Sequence, residues 1–256
     1  MSSINYIAFK TIVHREVSRF MRIWSQTLLP PAITMALYFL IFGRFIGPRI
    51  GAMHGVTYIQ YIVPGLIMMS LIMNAYSNVT TSLFGTKFQK NIDEMLIAPI
   101  SNHIILGGFL IGGVLRGVLV GIIVMGIALC FTHLKIHNGF LIIFVGVCSS
   151  FLFSLAGFTN GLFANHFDDV SIIPTFVLTP LTYLGGVFYS MDQLSPFWRG
   201  VSVLNPIVYM VNAFRYGMLG ISDVNIYGAM GVIIIFSIAL YGFNLFLMNK
   251  GYGLRT

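Results

Sequence analysis

Charged side chains are missing from seven long stretches of this 256-residue chain. Counting between consecutive Asp, Glu, Lys or Arg residues, 21 uncharged positions separate Arg22 from Arg44, 37 separate Arg49 from Lys87, and 21 separate Glu94 from Arg116. A further 18 lie between Arg116 and Lys135, 32 between Lys135 and Asp168, 22 between Asp169 and Asp192, and 26 between Asp223 and Lys250. A helix needs about 20 apolar residues to cross a hydrocarbon core about 30 Å thick, so each gap is about one crossing long. Only 8% of the residues are charged and 57% are hydrophobic, where a soluble domain carries about a quarter charged residues. A water-facing surface cannot be built from that supply. The chain reads as an all-α polytopic membrane protein, which excludes disorder and soluble nucleic-acid binding; its net charge of +7 is a topology signal.

Gaps combined with turn residues predict six spans, near residues 25–46, 58–84, 104–131, 139–164, 170–189 and 227–248. The two gaps flanking Arg116 merge into one span, because no turn residue separates them and Lys135 follows too soon for two crossings. With an even count both termini share one side. That side collects Lys10, Arg15, Arg19, Arg22, Lys87, Lys90, Lys250 and Arg255, against Arg44, Arg49, Lys135, Arg199 and Arg215 opposite. The bias predicts cytoplasmic termini. Ahead of the domain over 25–256, residues 1–24 place Tyr6, Phe9, Val13, Val17, Phe20 and Trp24 at steps of three or four. Lys10, His14, Arg15, Ser18 and Arg22 fall elsewhere on the wheel, which predicts an amphipathic helix lying on the membrane surface.

Two further segments stand out. Residues 87–99 are too polar for the bilayer and too short for a domain, yet Phe88, Ile92, Met95 and Leu96 recur at helical spacing before Pro99. They predict a short amphipathic helix parallel to the cytoplasmic face, a shape that a partner protein can grip. Residues 192–223 mix Pro196, Phe197, Trp198, Pro206, Tyr209 and Tyr216 with Asp192, Arg199, Arg215 and Asp223. Aromatics and helix breakers in a segment without a spanning gap predict a re-entrant or interfacial hairpin on the outer side.

The motifs of intramembrane enzymes are missing. There is no H-E-x-x-H and no aspartate-rich diphosphate motif, and His133 and His137 lack a third ligand, so no catalytic or metal site is expected. Asp168-Asp169 reads as a solvated helix cap. None of the 27 glycines precedes a lysine, so the G-x-x-x-x-G-K loop that cradles nucleotide phosphates is absent and any ATP-driven work belongs to another polypeptide. Gly108-x-x-x-Gly112, Gly113-x-x-x-Gly117-x-x-x-Gly121 and Gly157-x-x-x-Gly161 mark close helix packing. Arg116 lies twelve residues into its span, about 18 Å deep, where a charge has to face protein or water. It serves there as a tether or as part of a pathway. Asn74, Asn78, Thr175, Thr179 and Thr182 either line a path or bond across helices, and Pro174 and Pro180 let the fifth span bend. Six spans make a small wall, so a dimer is the expected unit.

The run from Asp169 through Pro174 and Pro180 to Gly185-Gly-Val-Phe-Tyr-Ser190, followed by Leu194-Ser-Pro-Phe-Trp198, Leu204-Asn-Pro-Ile-Val-Tyr209 and Phe214-Arg-Tyr-Gly217, resembles the C-terminal signature of ABC-2 type transporter permeases. The likeness covers essentially the whole chain and is strongest to small bacterial inner-membrane transport permeases. It implies the type V exporter fold, with residues 5–22 as an interfacial connecting helix and residues 192–223 as an outer re-entrant hairpin carrying Pro196, Trp198, Asn205, Pro206 and Arg215. It also implies a coupling helix, with Phe88, Gln89, Asn91, Ile92, Asp93, Glu94, Met95 and Leu96 docking on a separately encoded ABC ATPase. Two copies in the lipid of the inner membrane then form an efflux pathway, while ATP and magnesium are used by the ATPase and no cofactor binds this chain. Nothing appended singles out a cargo. An ion-coupled secondary transporter, which needs a titratable group within the membrane, and an intramembrane lipid-modifying enzyme, which needs a nucleophile or metal set, are the rival readings.

Overall fold

The computed structural model describes residues 2–253; Arg255 of the charge tally lies outside them. Among the described residues five helices are long and apolar enough to cross a membrane: α2 (Trp24–Ile50), α3 (Tyr58–Phe88), α5 (Asn102–Phe131), α6 (Gly139–Phe163) and α10 (Ile226–Asn249). They are joined by α1 (Ser2–Arg22), the short α4 (Asn91–Ile97), a bent helical run α7 over 167–183, and a pair α8 (Pro196–Val203) and α9 (Pro206–Leu219). The chain is an all-α polytopic membrane protein. Ala52–Met53 and Val56–Thr57 form a two-residue antiparallel ribbon between α2 and α3.

The elements sort to two ends. At the first, Lys87 reaches the end of α6, Asn102 Nδ2 donates to Asn249 Oδ1 at 2.8 Å, and Phe167 packs edge-on against Phe84. At the second, Gln60 Nε2 donates to the His133 carbonyl at 2.9 Å and His54 meets Ser190 at 3.1 Å.

Helix α3 is the axis of the bundle, enclosed by α5, α6 and α9. Its middle is buried nearly all round, which explains a hydropathy lower than that of its neighbours: a helix surrounded by helices can carry polar groups as long as each finds a partner. It begins with a capping box, in which Thr57 takes the N-cap and its own N–H donates to Gln60 Oε1 at 3.1 Å. Glycines bring the surrounding helices close. A Cβ on Gly117 would come within 2.9 Å of Ala75 Cβ and 3.0 Å of the Leu71 carbonyl oxygen, and one on Gly157 would collide with the Tyr76 carbonyl. By contrast α2 and α10 lie at the rim, with Ile33, Phe45, Ile235 and Ile238 facing outward. Cys130 also faces outward and Cys148 is half-buried, although both sit in apolar sequence that suggests interior positions.

Three expectations are corrected. The fifth span is helical only to Tyr183 rather than to residue 189, and 17 residues over 167–183 rise about 25 Å. Pro174 and Pro180 each withhold an N–H, and the run relaxes into a π-helical turn at Pro174–Leu178. The helix over residues 1–24 also packs on protein along its middle: of its expected apolar stripe Phe20 is buried and Phe9, Val13 and Val17 are half-buried. Tyr6 and Trp24 are exposed, while Ile12, Glu16 and Phe20 are buried as α1 runs along α5, with Ile12 against Gly108 and Glu16 against Gly112. Finally, the helix expected over 87–99 spans only Asn91–Ile97. Phe88 closes α3, Gln89 follows it, and Lys90 turns the chain with φ of 59°, the left-handed conformation that breaks one helix from the next.

Candidate functional site

At the first end, α4 packs against the bundle through one face. Ile92 is buried in a core cluster with Leu83, Ile105, Phe158 and Leu247, while Met95 and Leu96 pack on its edge. The opposite face presents Asn91, Asp93 and Glu94, with Ile97 84% exposed beyond them. Gln89 is exposed in the turn, and Phe88, 63% exposed, stacks edge-on with Phe167 at 4.9 Å. Asp93 and Glu94 occupy the first turn of α4, where carboxylates complement the helix dipole. Acidic groups and exposed apolar side chains thus share one outward surface.

Three contacts tie this surface to the bundle. Lys87 is almost fully buried, and its Nζ donates to the carbonyls of Gly161, Leu162 and Ala164 at 3.1, 2.6 and 3.0 Å. A helix ends with unpaired carbonyls and the negative pole of its dipole, and an ammonium answers both. Arg15 Nη1 lies 3.8 Å from Met95 Sδ and its guanidinium 5.3 Å from the centroid of Phe109, which links α4 to α1 and α5. Beyond Lys87, Asp169 Oδ2 accepts the N–H groups of Asn165 and His166 at 2.8 and 2.9 Å and caps α7 as expected. Those two bonds hold the Asp169 carboxyl below its ordinary pKa.

Deeper in the bundle, three residues expected to be polar partners meet. Arg116 points at Asn74 Oδ1 (3.2 Å), Asn78 Oδ1 (3.5 Å) and the Thr27 carbonyl (3.4 Å). From α1, Arg19 Nη2 donates to the same Asn78 Oδ1 at 2.9 Å and to Glu16 Oε2 at 3.2 Å; Glu16 Oε1 takes Arg15 at 3.1 Å. Arg116 therefore holds α5, α3 and the start of α2 together. The threonines of α7 behave differently. Thr179 donates to the Pro174 carbonyl and buried Thr182 to the Thr179 carbonyl, whereas Thr175 is exposed on the outer face of that helix. Asn160 Nδ2 reaches the Val170 carbonyl, whose helical donor is lost at Pro174.

At the second end, the chain leaves α7 through a run of turns and bends packed on α3. Val187 presses on Gly65, Tyr58 donates to the Phe188 carbonyl at 3.1 Å, and Asn205 Nδ2 donates to the Leu181 carbonyl at 2.7 Å. Arg215 is fully buried over the Tyr61 ring, 4.0 Å from its centroid, and donates to the carbonyls of Gly186 and Tyr61. Non-helical backbone at this depth survives only if its polar groups are paired within protein, and Arg215 with Asn205 supplies the donors. Asn205 also caps α9 by accepting from Ile207 N–H at 3.0 Å, with Pro206 at the position that needs no donor. Pro196 starts α8 in the same way, while Trp198 is half exposed against Phe197. Nearby, His54, Asp192 and Asp223 each offer a ligand atom within 4.8 Å of the others, a grouping the sequence did not suggest. Their atoms are already engaged: Asp223 Oδ2 accepts from Ser190 Oγ and Met191 N–H at 3.1 and 2.9 Å, and Asp192 pairs with Arg199 at 3.4 Å.

Sequence reasoning missed Glu16, the central role of Lys87, and Asp223 as the acceptor beside Arg215. Glu16 had a legible signal, as the one acid in a basic helix, flanked by Arg15 and Arg19. Lys87 had none, because a lysine at the edge of a polar loop looks solvated until α6 is seen to end beside it.

The family model described as ABC-2 type transporter matches residues 7–219. The chain is 56% identical, over all of both chains, to the inner membrane transport permease YadH of Escherichia coli K12. It is 24% identical over 78% of each chain to nodulation protein J of Rhizobium leguminosarum bv. viciae.

Proposed function

Because the chain belongs to the ABC-2 type transporter family and is a multi-pass transport permease of the inner membrane, we propose that it is the membrane subunit of an ATP-binding cassette exporter, paired with a second copy and driven by a separate ATPase. The observation that carries this reading is α4. It is short, exposed on its acidic face, anchored by Ile92, and joined without slack to the central helix. Phe88, Gln89, Asn91, Asp93, Glu94 and Ile97 form the docking face, and Ile92, Met95 and Leu96 are the anchor.

Such an element turns an ATPase movement into helix movement. A push on α4 passes through Lys90 into α3, through Lys87 into α6 and the start of α7, and through Met95 into α1. Because α3 is the buried axis, the displacement is shared by the whole bundle and is not absorbed in one loop. The bent α7, with its π turn, is the part that can flex. In this reading the segment over 167–190 completes a sixth crossing, the first end and both termini are cytoplasmic, and the α8–α9 pair re-enters from the outer side. The apolar rims of α2 and α10 face lipid or the second copy, and ATP and magnesium stay with the ATPase. Glu16, a buried carboxylate committed to two guanidiniums, is poorly placed to carry protons, which weighs against an ion-coupled mechanism.

The test is copurification. With the ATPase co-expressed, Asp93→Lys combined with Glu94→Lys removes two negative charges from the docking face and adds two positive ones. The expected result is loss of the ATPase from the purified complex and of ATP-driven transport, with normal insertion. A variant that retains the ATPase and its transport rate would overturn the assignment.

A further inference from the structure

The cluster where α1 meets α3 and α5 is short of negative charge. It holds three arginines, Arg15, Arg19 and Arg116, and one carboxylate, Glu16, which is taken by Arg15 and Arg19. Among the described residues Arg116 has no acidic partner; its acceptors are the neutral oxygens of Asn74, Asn78 and Thr27. Two guanidiniums also share the same acceptor, Asn78 Oδ1, at 2.9 and 3.5 Å. Like charges so close repel strongly where water is scarce.

Donors outnumber acceptors in the same place. Arg19 Nε, Arg116 Nε and Asn78 Nδ2 are buried without a hydrogen-bond partner, and Asn78 is fully buried. Buried polar groups are nearly always paired, so three idle donors in a cluster of three arginines and one carboxylate point to a further acceptor. The cluster is not sealed: the Arg19 side chain is 32% exposed, beside the exposed turn of Arg22, Ile23 and Trp24. Arginine forks suit the planar faces of a tetrahedral oxyanion, and an aromatic-basic turn suits the headgroup level of a bilayer.

We propose that Arg19, Arg116 and Asn78 form a binding site for a phosphate group, supplied by an anionic phospholipid headgroup or by a phosphate-bearing solute from the first end. The bound oxygens accept from the idle donors and separate the two guanidiniums. Occupancy then stiffens the joint between α1 and α2, next to the Met95 contact with Arg15. This site is independent of ATPase docking on α4.

The experiment uses the full-length chain in phosphatidylcholine nanodiscs, unfolded by heat. Three conditions are compared: no addition, phosphatidylglycerol in the disc, and inorganic phosphate in the buffer. A raised midpoint is expected in at least one anionic condition; a rise with phosphate identifies a soluble source, and a rise with phosphatidylglycerol alone identifies the lipid. Asn78→Asp supplies the missing charge from within, so it should raise the midpoint without any addition and abolish the further gain. Arg116→Gln should weaken phosphatidylglycerol retention by about tenfold in native mass spectrometry, the loss of roughly one charge-assisted contact. Arg22→Gln, on the adjoining exposed turn, should keep the full gain and so controls for general surface charge. If Arg116→Gln does not fold, Asn78→Asp decides. Equal midpoints in all three conditions, or a full anionic gain retained by Asn78→Asp, would overturn the proposal.

Discussion

Lys87 shows how one side chain can join two helices that have no covalent reason to meet. Its ammonium serves three carbonyls at the end of α6, and replacing it with methionine keeps the apolar stem but leaves those oxygens bare. Lys87→Met should cost about 2 kcal/mol, the desolvation of charged-group acceptors left unpaired. Titration with SDS reads this as an earlier unfolding midpoint, and Lys90→Met, at the neighbouring exposed turn, should leave the midpoint unmoved. Arg215 works by the same logic at the other end, where it donates to the Gly186 carbonyl in the turn after α7 and to the Tyr61 carbonyl of α3. Both residues are cations spent on carbonyl oxygens, not on carboxylates. Composition signals neither use, because the acceptors are backbone and leave no mark in the residue types.

Among the helices, glycine spacing separates strips that pack from those that do not. A Cβ on Gly157 meets the Tyr76 carbonyl, and backbone cannot step aside, whereas nothing lies within 4 Å of the Cβ direction at Gly126. Gly157→Ala should destabilise by roughly 1–3 kcal/mol through overpacking, and Gly126→Ala should stabilise by roughly 0.5–1 kcal/mol through helix propensity. Thermal unfolding of the two variants beside the parent checks both signs. The Gly108 and Gly112 strip carries a further lesson. Its spacing announced close packing, but its partner proved to be Ile12 and Glu16 of α1, an element whose own pattern pointed to the membrane surface. The apolar stripe of α1 was read from Tyr6, Phe9, Val13, Val17, Phe20 and Trp24; Phe20 is buried and the three before it are half-buried, while Tyr6 and Trp24 at the two ends are exposed. Helix α4 was legible as a short amphipathic piece because Ile92, Met95 and Leu96 sit on one side. Its start was not, because Phe88 continues the apolar pattern of α3 across the break at Lys90.

Taken as a whole, the molecule gathers residues 85–102, 164–167 and 249–253 at one end and 51–57, 132–138 and 186–225 at the other. This arrangement makes a direct prediction about sidedness. In a background with Cys130→Ala and Cys148→Ala, Gln89→Cys should react with an impermeant maleimide only after the inner membrane is opened, and Asp192→Cys should react in intact spheroplasts. Labelling of both from the same side would contradict the placement. The long uncharged gaps were enough to establish a helical membrane protein and its five longest apolar helices, because the bilayer excludes charge whatever the neighbours do. The signature of prolines, Asn205-Pro206 and Arg215 was enough to suggest the family. The partners of the buried polar groups were beyond reach: that Asn78 receives Arg19 and Arg116, that Glu16 lies inside, and that α7 stops at Tyr183 to continue through turns. Apolar periodicity reports a transfer free energy summed over one helix, whereas each of these contacts joins residues up to about a hundred positions apart and exists only once the helices have packed.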